Sequence, residues 1–212
     1  MNKLFSSPEE AIADVSDGST IMFGGFGVSG IPFTLIRALS QKGTRNITAI
    51  TNSPGGRLDD VDLSILFRNN QVRKVIASFT AYAGKVSAFE QQYLTGKVEL
   101  EVVPQGTLAE RIRAGGAGIA GFYTRTGVGT VIEEGKEKRT FGGQEFLLEL
   151  ALRADFAFIR AYKADQMGNL VYHMAARNFN PLMATAADIT IVEVDEIVEA
   201  GELDPETIVT PG

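Results

Sequence analysis

The sequence contains no cysteine and no tryptophan, and it has a single histidine, His173. Without cysteine, the chain cannot form disulfides, thiolate metal sites or a cysteine nucleophile. No run approaches the roughly 18 consecutive apolar residues that a membrane-spanning helix needs. Residues 1–10 also lack the apolar core of a secretion signal. These absences predict a cytoplasmic protein that has no membrane partner.

Basic residues are fewer than acidic ones, 20 against 26, so the formal net charge is −6. A nucleic-acid-binding protein usually carries a basic face, and the composition therefore argues against such a partner. An anionic ligand stays compatible with this charge, because backbone amides at a helix start can hold a phosphate locally. No residue spacing in the chain indicates a metal site.

What is present is an alternation of strand-like and helix-like segments. Short apolar runs typical of buried strands occur at 20–23, 47–50, 75–77, 98–103, 156–159 and 189–192. Helical patterns occur around 8–15, 32–39, 61–67, 89–93, 107–113 and 181–187. The alternation predicts one α/β domain over residues 1–212, with an open, mainly parallel sheet flanked by helices.

Local signals refine this prediction at three places. The segments Ser7–Glu10 and Thr107–Glu110 have the spacing of a capping box, which predicts that a helix starts at each. Segment 115–143 is rich in glycine and charge, and it predicts loops with a small β excursion around 120–145. Its charged run at 133–139 is interpreted as a solvated turn.

A glycine-rich loop directly follows the first strand and precedes a helix opened by Pro32. Its residues are Gly24, Gly25, Phe26, Gly27, Val28, Ser29 and Gly30. Glycine lets a ligand approach the bare backbone, and open α/β sheets bind ligands at the carboxyl ends of their strands. The G-x-G-x-x-G spacing is also typical of dinucleotide sites, but no acidic residue ends the second strand. On spacing alone, a tight turn with no ligand stays open as an alternative.

Several long blocks occur in a fixed order along the chain. The first runs from Asp17 through the glycine loop to Pro32, and the others span 103–118, 122–130, 168–181 and 196–205. In this order the blocks resemble the A subunit of family I coenzyme A (CoA) transferases of the 3-oxoacid and acetate type. The chain departs from the family at 53–57, where 3-oxoacid members have an asparagine- and glycine-rich stretch.

The resemblance implies transfer of CoA between an acyl-CoA and a carboxylic acid by a ping-pong mechanism through a glutamyl thioester. In the family the nucleophilic glutamate lies on the B subunit, and its motif has no counterpart here. We therefore expect a B-subunit partner, in a heterodimer or an A2B2 heterotetramer. CoA and acyl-CoA are expected as substrates, with no permanently bound cofactor and no metal.

Substrate identity follows the same resemblance. Succinyl-CoA with acetoacetate or another 3-oxoacid is the first expectation. Acetyl-CoA with butyrate or acetoacetate, and a 3-oxoadipate role, are the alternatives within the family. A different class, a phosphate-binding enzyme similar to sugar isomerases, would also use a glycine loop after the first strand. It would need a complete set of acid and base residues in one chain, and none is evident. A non-catalytic scaffold subunit is the third hypothesis.

Gln105 is the expected catalytic residue of this chain. By resemblance it corresponds to the family's glutamine beside the nucleophile, where an amide N–H donates to the oxyanion that forms as the thioester carbonyl is attacked. An ordinary loop glutamine bonded to the backbone is the alternative. The resemblance also assigns residues 24–30 to contact with CoA or the acyl group. The glycines at 115–118 form either a second loop near the site or a helix end.

Three glutamates are not nominated as the nucleophile. Glu110 is interpreted as the reciprocal cap of Thr107. Glu145 and Glu149 have the spacing of one helical face, but the sequence reveals no activating partner for either.

Four further polar residues are weighed for a functional role. Asn178 and Asn180 can orient a substrate carboxylate or cap the helix that follows them. Arg177 can pair with a substrate carboxylate. For His173, a structural or surface role is favoured over a catalytic one.

Overall fold

The fold is described by a computed structural model for residues 3–58, 61–81 and 84–212. The strands are β1 (Thr20–Phe23), β2 (Ile47–Thr51), β3 (Val72–Ala77), β4 (Glu99–Val102), β5 (Gly121–Thr124), β6 (Lys138–Phe141), β7 (Gln144–Leu150), β8 (Ala154–Asp165), β9 (Leu170–Val171) and β10 (Ala187–Val198). The α-helices are α1 (Pro8–Ala11), α2 (Phe33–Lys42), α3 (Ser64–Arg68), α4 (Ala88–Leu94), α5 (Gln105–Gly116) and α6 (Asn180–Thr185). Short 3-10 turns occur at Val131–Glu133, Met174–Arg177 and Pro205–Thr207.

The main sheet has seven strands, six of them in the order β10-β8-β1-β2-β3-β4. Neighbours in this order are parallel, and β9 pairs with β8 in the antiparallel sense. A second, three-stranded antiparallel sheet has the order β5-β7-β6. The prediction of a mainly parallel sheet with a small β excursion is therefore confirmed, although the excursion extends to Leu150.

The two faces of the main sheet pack against different helices. Successive side chains of a strand point to opposite faces, so Ile21 and Phe23 of β1 join one core while Met22 joins the other. Leu35, Ile36 and Leu39 of α2 pack on the first face. Residues of α5 and α6, among them Ile112 and Met183, pack on the second. This double cover explains why the central strands are apolar throughout rather than alternating.

Ser7 caps a helix as predicted, but the box is incomplete, because the Glu10 carboxylate accepts from the Ser6 amide at 3.0 Å and not from Ser7. The helix is also shorter than predicted. The Ser7 hydroxyl accepts a hydrogen bond from the Glu10 amide at 3.1 Å, and α1 ends at Ala11 instead of continuing to Val15. Beyond it, the Lys42 amine donates to the carbonyls of Ile12 and Val15 at 2.8 and 2.7 Å. These bonds satisfy carbonyls that even a helix continuing to Val15 would have left unpaired at its end.

The capping box predicted at Thr107 is wrong. Helix α5 begins at Gln105, its N-cap is Pro104, and Thr107 lies buried within the first turn. Glu110 is no reciprocal cap, because its carboxylate accepts from the Arg113 side chain at 2.9 Å. Pro104 has a ψ of 136°, outside the helical range, so the helix starts directly after it.

Within the described ranges, none of the helices combines the length and apolar character that crossing a bilayer requires.

Candidate functional site

The glycine loop and Gln105 both lie at the edge of the main sheet where its parallel strands end. The glycine loop follows β1, Asn52 follows β2, and Gln105 follows β4. Parallel strands bring their carboxyl ends to one edge, and this is where open α/β sheets bind ligands. Residues far apart in sequence therefore share one surface.

The glycine loop forms a tight hairpin. The backbones of Phe26 and Ser29 exchange two hydrogen bonds of 3.0 Å, with Gly27 at a φ of 62° and Val28 at the tip. The side chains of Phe26 and Val28 are 50% and 45% exposed. The loop therefore projects two apolar side chains outward and keeps Gly24 at its buried base.

Two asparagine side chains hold this hairpin by hydrogen bonds to its backbone. The Asn180 side-chain amide donates to the carbonyls of Gly30 and Ala176 at 3.0 and 2.8 Å, and its oxygen accepts from the Arg160 backbone at 3.1 Å. Asn178 donates to the Ser29 carbonyl at 3.1 Å. Asn180 is fully buried and makes no capping bond to α6. It therefore neither caps the helix nor faces a substrate, and its place is inside the fold.

The position of Asn180 explains two of the glycines. A Cβ atom at Gly24 would lie 1.8 Å from the Asn180 side-chain oxygen. A Cβ atom at Gly30 would lie 2.6 Å from the Ala176 carbonyl, and Gly30 has a φ of 69° that other residues rarely adopt. Close packing therefore requires both glycines, and backbone shape also requires Gly30.

Gln105 is the exposed first residue of α5, and its side chain reaches across the end of β3. Its amide nitrogen donates to the side-chain oxygen of Asn52 at 2.6 Å. The Asn52 backbone carbonyl in turn accepts from Ser78 and Phe79, which follow β3, at 3.2 and 2.9 Å. The alternative of a loop glutamine bonded to backbone is therefore wrong.

A cavity of about 20 Å³ lies between the glycine loop and the segment after β2. Its lining includes Gly24, Gly27, Asn52, Ser53 and Asp62. This volume holds about one water molecule. The cavity is therefore too small to enclose a large ligand.

Asp62 shapes the segment in which the chain departs from the family pattern. Its carboxylate accepts from the backbone amides of Gly56, Arg57 and Leu58 at 3.0, 3.1 and 2.9 Å, and from Ser64 at 2.9 Å. The buried carboxylate thus fixes the loop that forms one wall of the cavity. Sequence reasoning missed Asp62. Its spacing before Ser64 is the local signal that could have identified it.

The glycines at 115–118 belong to a helix end, as one of the two interpretations predicted. The Ile119 amide donates to the Ala114 carbonyl at 2.9 Å, and Gly118 has a φ of 70°. A Cβ atom at Gly115 would lie 1.9 Å from the Leu152 carbonyl. These glycines therefore close α5 against the chain segment before β8.

The remaining predicted residues lie in ion pairs or on the surface. Glu145 and Glu149 are on strand β7, so the prediction of a shared helical face is wrong. Buried Glu149 pairs with Lys136 at 2.5 Å, and this charge partner comes from the charged run at 133–139. His173 is exposed against the Tyr162 ring, and Arg177 is exposed in the 3-10 turn.

In the part of the chain that the structure describes, no group of three or more histidine, cysteine or acidic residues could hold a metal ion.

Comparison with known proteins gives close relatives along the whole chain. Residues 5–212 match the family described as Coenzyme A transferase. The A chain of a probable succinyl-CoA:3-ketoacid coenzyme A transferase from Bacillus subtilis is 54% identical over 212 residues, covering 100% of this chain and 87% of that protein. The corresponding chain of the 3-oxoadipate CoA-transferase from Pseudomonas putida is 50% identical over 212 residues, covering 100% and 90%.

One relative is a longer single chain. The human mitochondrial succinyl-CoA:3-ketoacid coenzyme A transferase 2 is 46% identical over 227 residues, which cover 99% of this chain but 43% of the human protein.

Solved structures share the fold at lower identity. An acyl-CoA transferase from E. coli O157:H7, in a thioester complex with CoA, has a TM-score of 0.82 at 23% identity and covers 97% of this chain and 44% of its own. Glutaconate coenzyme A-transferase from Acidaminococcus fermentans has a TM-score of 0.83 at 21% identity, covering 97% and 71%. The family match covers nearly the whole chain, and A-subunit relatives are 50% to 54% identical over 212 residues. This chain therefore belongs to the coenzyme A transferase family, as an A subunit.

Proposed function

We propose that this chain is the A subunit of a CoA-transferase that moves CoA between succinyl-CoA and a 3-oxoacid. Support comes from the relatives, whose names specify succinyl-CoA with 3-ketoacids or 3-oxoadipate. Acetoacetate is the first acceptor to test, and 3-oxoadipate is the second because the 3-oxoadipate relative is 50% identical. In this proposal, residues 1–212 form a single A-subunit domain, and the enzyme is cytoplasmic.

The observation that carries the proposal is the fixed side-chain amide of Gln105 at the strand-end edge. An amide held by Asn52 at 2.6 Å has its donor end oriented before any substrate arrives. Preorganised donors aimed at a developing oxyanion are among the largest contributions to acyl-transfer catalysis. We assign Gln105 this role during attack on the thioester carbonyl.

The attacking carboxylate comes from a partner subunit in this proposal. The chain matches 43% of the human relative, so a CoA-transferase of this type contains much more polypeptide than this chain supplies. At the same edge, Phe26, Val28 and Phe79 expose large apolar side chains, as surfaces that contact another protein do. A B subunit, in a heterodimer or an A2B2 heterotetramer, fits this edge.

The chemistry proceeds in two matched halves. A glutamate carboxylate from the B subunit first attacks the acyl-CoA carbonyl and expels the CoA thiolate, which leaves a mixed anhydride. The thiolate then attacks the glutamyl carbonyl of this anhydride, which gives a glutamyl-CoA thioester and releases the first carboxylic acid. The acceptor acid reverses both steps. We place the glycine loop, residues 24–30, against the CoA or acyl group, where its bare backbone permits close approach.

The test is the Gln105→Ala substitution in the assembled A/B enzyme. Loss of one oxyanion donor lowers kcat by about 10²–10³, and we expect a decrease in this range in steady-state transfer assays. Gln91→Ala is the matched control, because Gln91 is an exposed glutamine on α4. An unchanged kcat in Gln105→Ala would remove the assignment, whereas equal losses in both variants would point to a general defect.

A further inference from the structure

Asn52 is the contact that fixes Gln105. It is 4% exposed, and its side-chain oxygen accepts the Gln105 amide N–H at 2.6 Å. We infer that Asn52 is a positioning residue that determines which end of the Gln105 amide faces the substrate. This inference rests on the proposed function, because it concerns the same site.

A glutamine side chain has two unlike ends. Its nitrogen carries two N–H donors, and its oxygen only accepts. The last torsion of glutamine is broad and roughly two-fold, so an exposed glutamine presents either end. With the oxygen turned toward the thioester, the amide would repel the negative charge that develops there. Only the nitrogen end stabilises that charge.

Asn52 discriminates between the two ends. Its side-chain oxygen accepts from the Gln105 nitrogen, and it would repel the Gln105 oxygen in the reversed orientation. One N–H of the Gln105 amide is used in this contact, and the second stays available for the oxyanion. Because the contact forms within the chain, the donor is oriented before substrate binds, which lowers the entropic cost of orienting it in the transition state.

The backbone of Asn52 is fixed independently of its side chain. The Asn52 carbonyl accepts from Ser78 and Phe79 at 3.2 and 2.9 Å, and these bonds persist whatever the side chain is. The loop after β2 therefore holds its place at the end of β3, while the side chain is directed to Gln105. A substitution at position 52 therefore removes the contact with Gln105 while the backbone bonds of the loop remain.

The experiment is a double-mutant cycle in the A/B enzyme. Removing an outer residue that orients a metal ligand typically lowers activity roughly 10–100-fold. By analogy, we expect Asn52→Ala to lower kcat by about this factor, with KM for succinyl-CoA unchanged. In the Gln105→Ala background, the same substitution should have no further effect on kcat, because the oriented donor is already gone. A purely structural role would lower kcat equally in both backgrounds.

Two further variants complete the test. Asn52→Ser keeps a polar group at the buried position but is too short to reach Gln105, so it should match Asn52→Ala while its melting temperature stays near that of the parent. Asn69→Ala is the control: its side chain bonds Ser40 at 2.8 Å just before β3 begins, and it should retain full kcat.

The outcomes separate the two proposals. Full kcat in Asn52→Ala and Asn52→Ser, or an equal loss in both backgrounds, overturns the positioning role while leaving the role of Gln105 intact. A Gln105→Ala enzyme with full kcat overturns the oxyanion role itself.

Discussion

Gly24 lies where β1 ends, and its hydrogens face the side-chain amide of Asn180. A Cβ atom there would lie 1.8 Å from the Asn180 oxygen. Asn180 cannot retreat easily, because it is fully buried and bonded to Arg160, Gly30 and Ala176. Gly24→Ala must therefore displace an internal hydrogen-bonded group. We expect a loss of about 1–3 kcal/mol in the free energy of unfolding, as for other overpacked sites, measured by urea denaturation.

A matched glycine should respond in the opposite direction. Gly106 lies in α5, and a Cβ atom there would have nothing within 4 Å. Gly106→Ala should raise the free energy of unfolding by about 0.5–1 kcal/mol, because alanine restricts the unfolded chain. Gly24→Ala should also cost less in an Asn180→Ala background. An equal cost in both backgrounds would mean that the collision with Asn180 is not its cause.

Asp165 makes folding stability depend on pH. Burial opposes ionisation of this carboxyl, but hydrogen bonds from the Asn169 side chain and from the backbones of Asn169, Met167 and Gly168 hold its pKa below the ordinary 3.8. A group whose pKa is lower in the folded state stabilises the fold fully above its unfolded pKa, and this contribution is lost as pH falls through the folded value.

We therefore expect Asp165→Asn to lower the free energy of unfolding at neutral pH, where the carboxylate accepts these bonds. The difference from the parent should narrow as pH falls below 3.8. Urea denaturation over a series of pH values measures it. Asp188→Asn is the control, because that carboxylate is 68% exposed in its pair with Arg153 and such pairs contribute little. A pH-independent difference for Asp165→Asn would contradict the linkage.

Among the secondary-structure elements, α2 obtains its N-terminal cap from a distant strand. Its N-cap residue, Pro32, makes no side-chain capping bond. Instead the Glu193 carboxylate on β10 accepts from the amides of Thr34 and Leu35 at 2.7 and 3.2 Å. Burial raises the pKa of Glu193, yet the carboxylate satisfies donors that the helix cannot pair itself.

Glu193→Ala should lower the free energy of unfolding by about 1 kcal/mol, the typical cost of losing a helix cap. Glu193→Gln keeps an accepting oxygen and should cost less. Glu196→Ala is the matched control on the same strand, since Glu196 forms only a half-exposed pair with Lys163. Thermal and urea denaturation would both rank the stabilities of these variants. Similar losses of stability in Glu193→Ala and Glu196→Ala would refute the capping role.

Some secondary-structure elements could be predicted from the local sequence pattern, and others could not. Strand β1 occupies the predicted residues 20–23, because a buried parallel strand is a continuous apolar run between turns. The capping box predicted at Thr107 was wrong because the same residue spacing fits either a cap or the first turn of a helix that begins at Gln105. For Glu145 and Glu149, a four-residue spacing places side chains on one face of a helix and of a strand alike.

At the scale of the whole molecule, we predict that activity requires a second polypeptide. The purified chain should transfer no CoA between succinyl-CoA and acetoacetate. Adding a purified B subunit that carries the glutamate should restore transfer, because the attacking carboxylate comes from that partner in our proposal. Formation of acetoacetyl-CoA measures the outcome, and the control is a B subunit whose glutamate is replaced by alanine. Transfer by the chain alone at the full rate would refute the division of roles.

Local apolar pattern, glycine and proline chemistry and the ordered motifs were enough to predict the α/β class, the order of helices and strands, the family, and the two segments that converge on the candidate site. Three contacts became known only from the folded chain: Asn52 holds Gln105, Asn180 supports the glycine loop and Glu193 caps α2. Each of these contacts joins residues that are 53 to 159 positions apart in the sequence. Apolar residues reveal helices and strands by their periodic spacing, but the spacing of a polar residue does not indicate which distant residue it will contact.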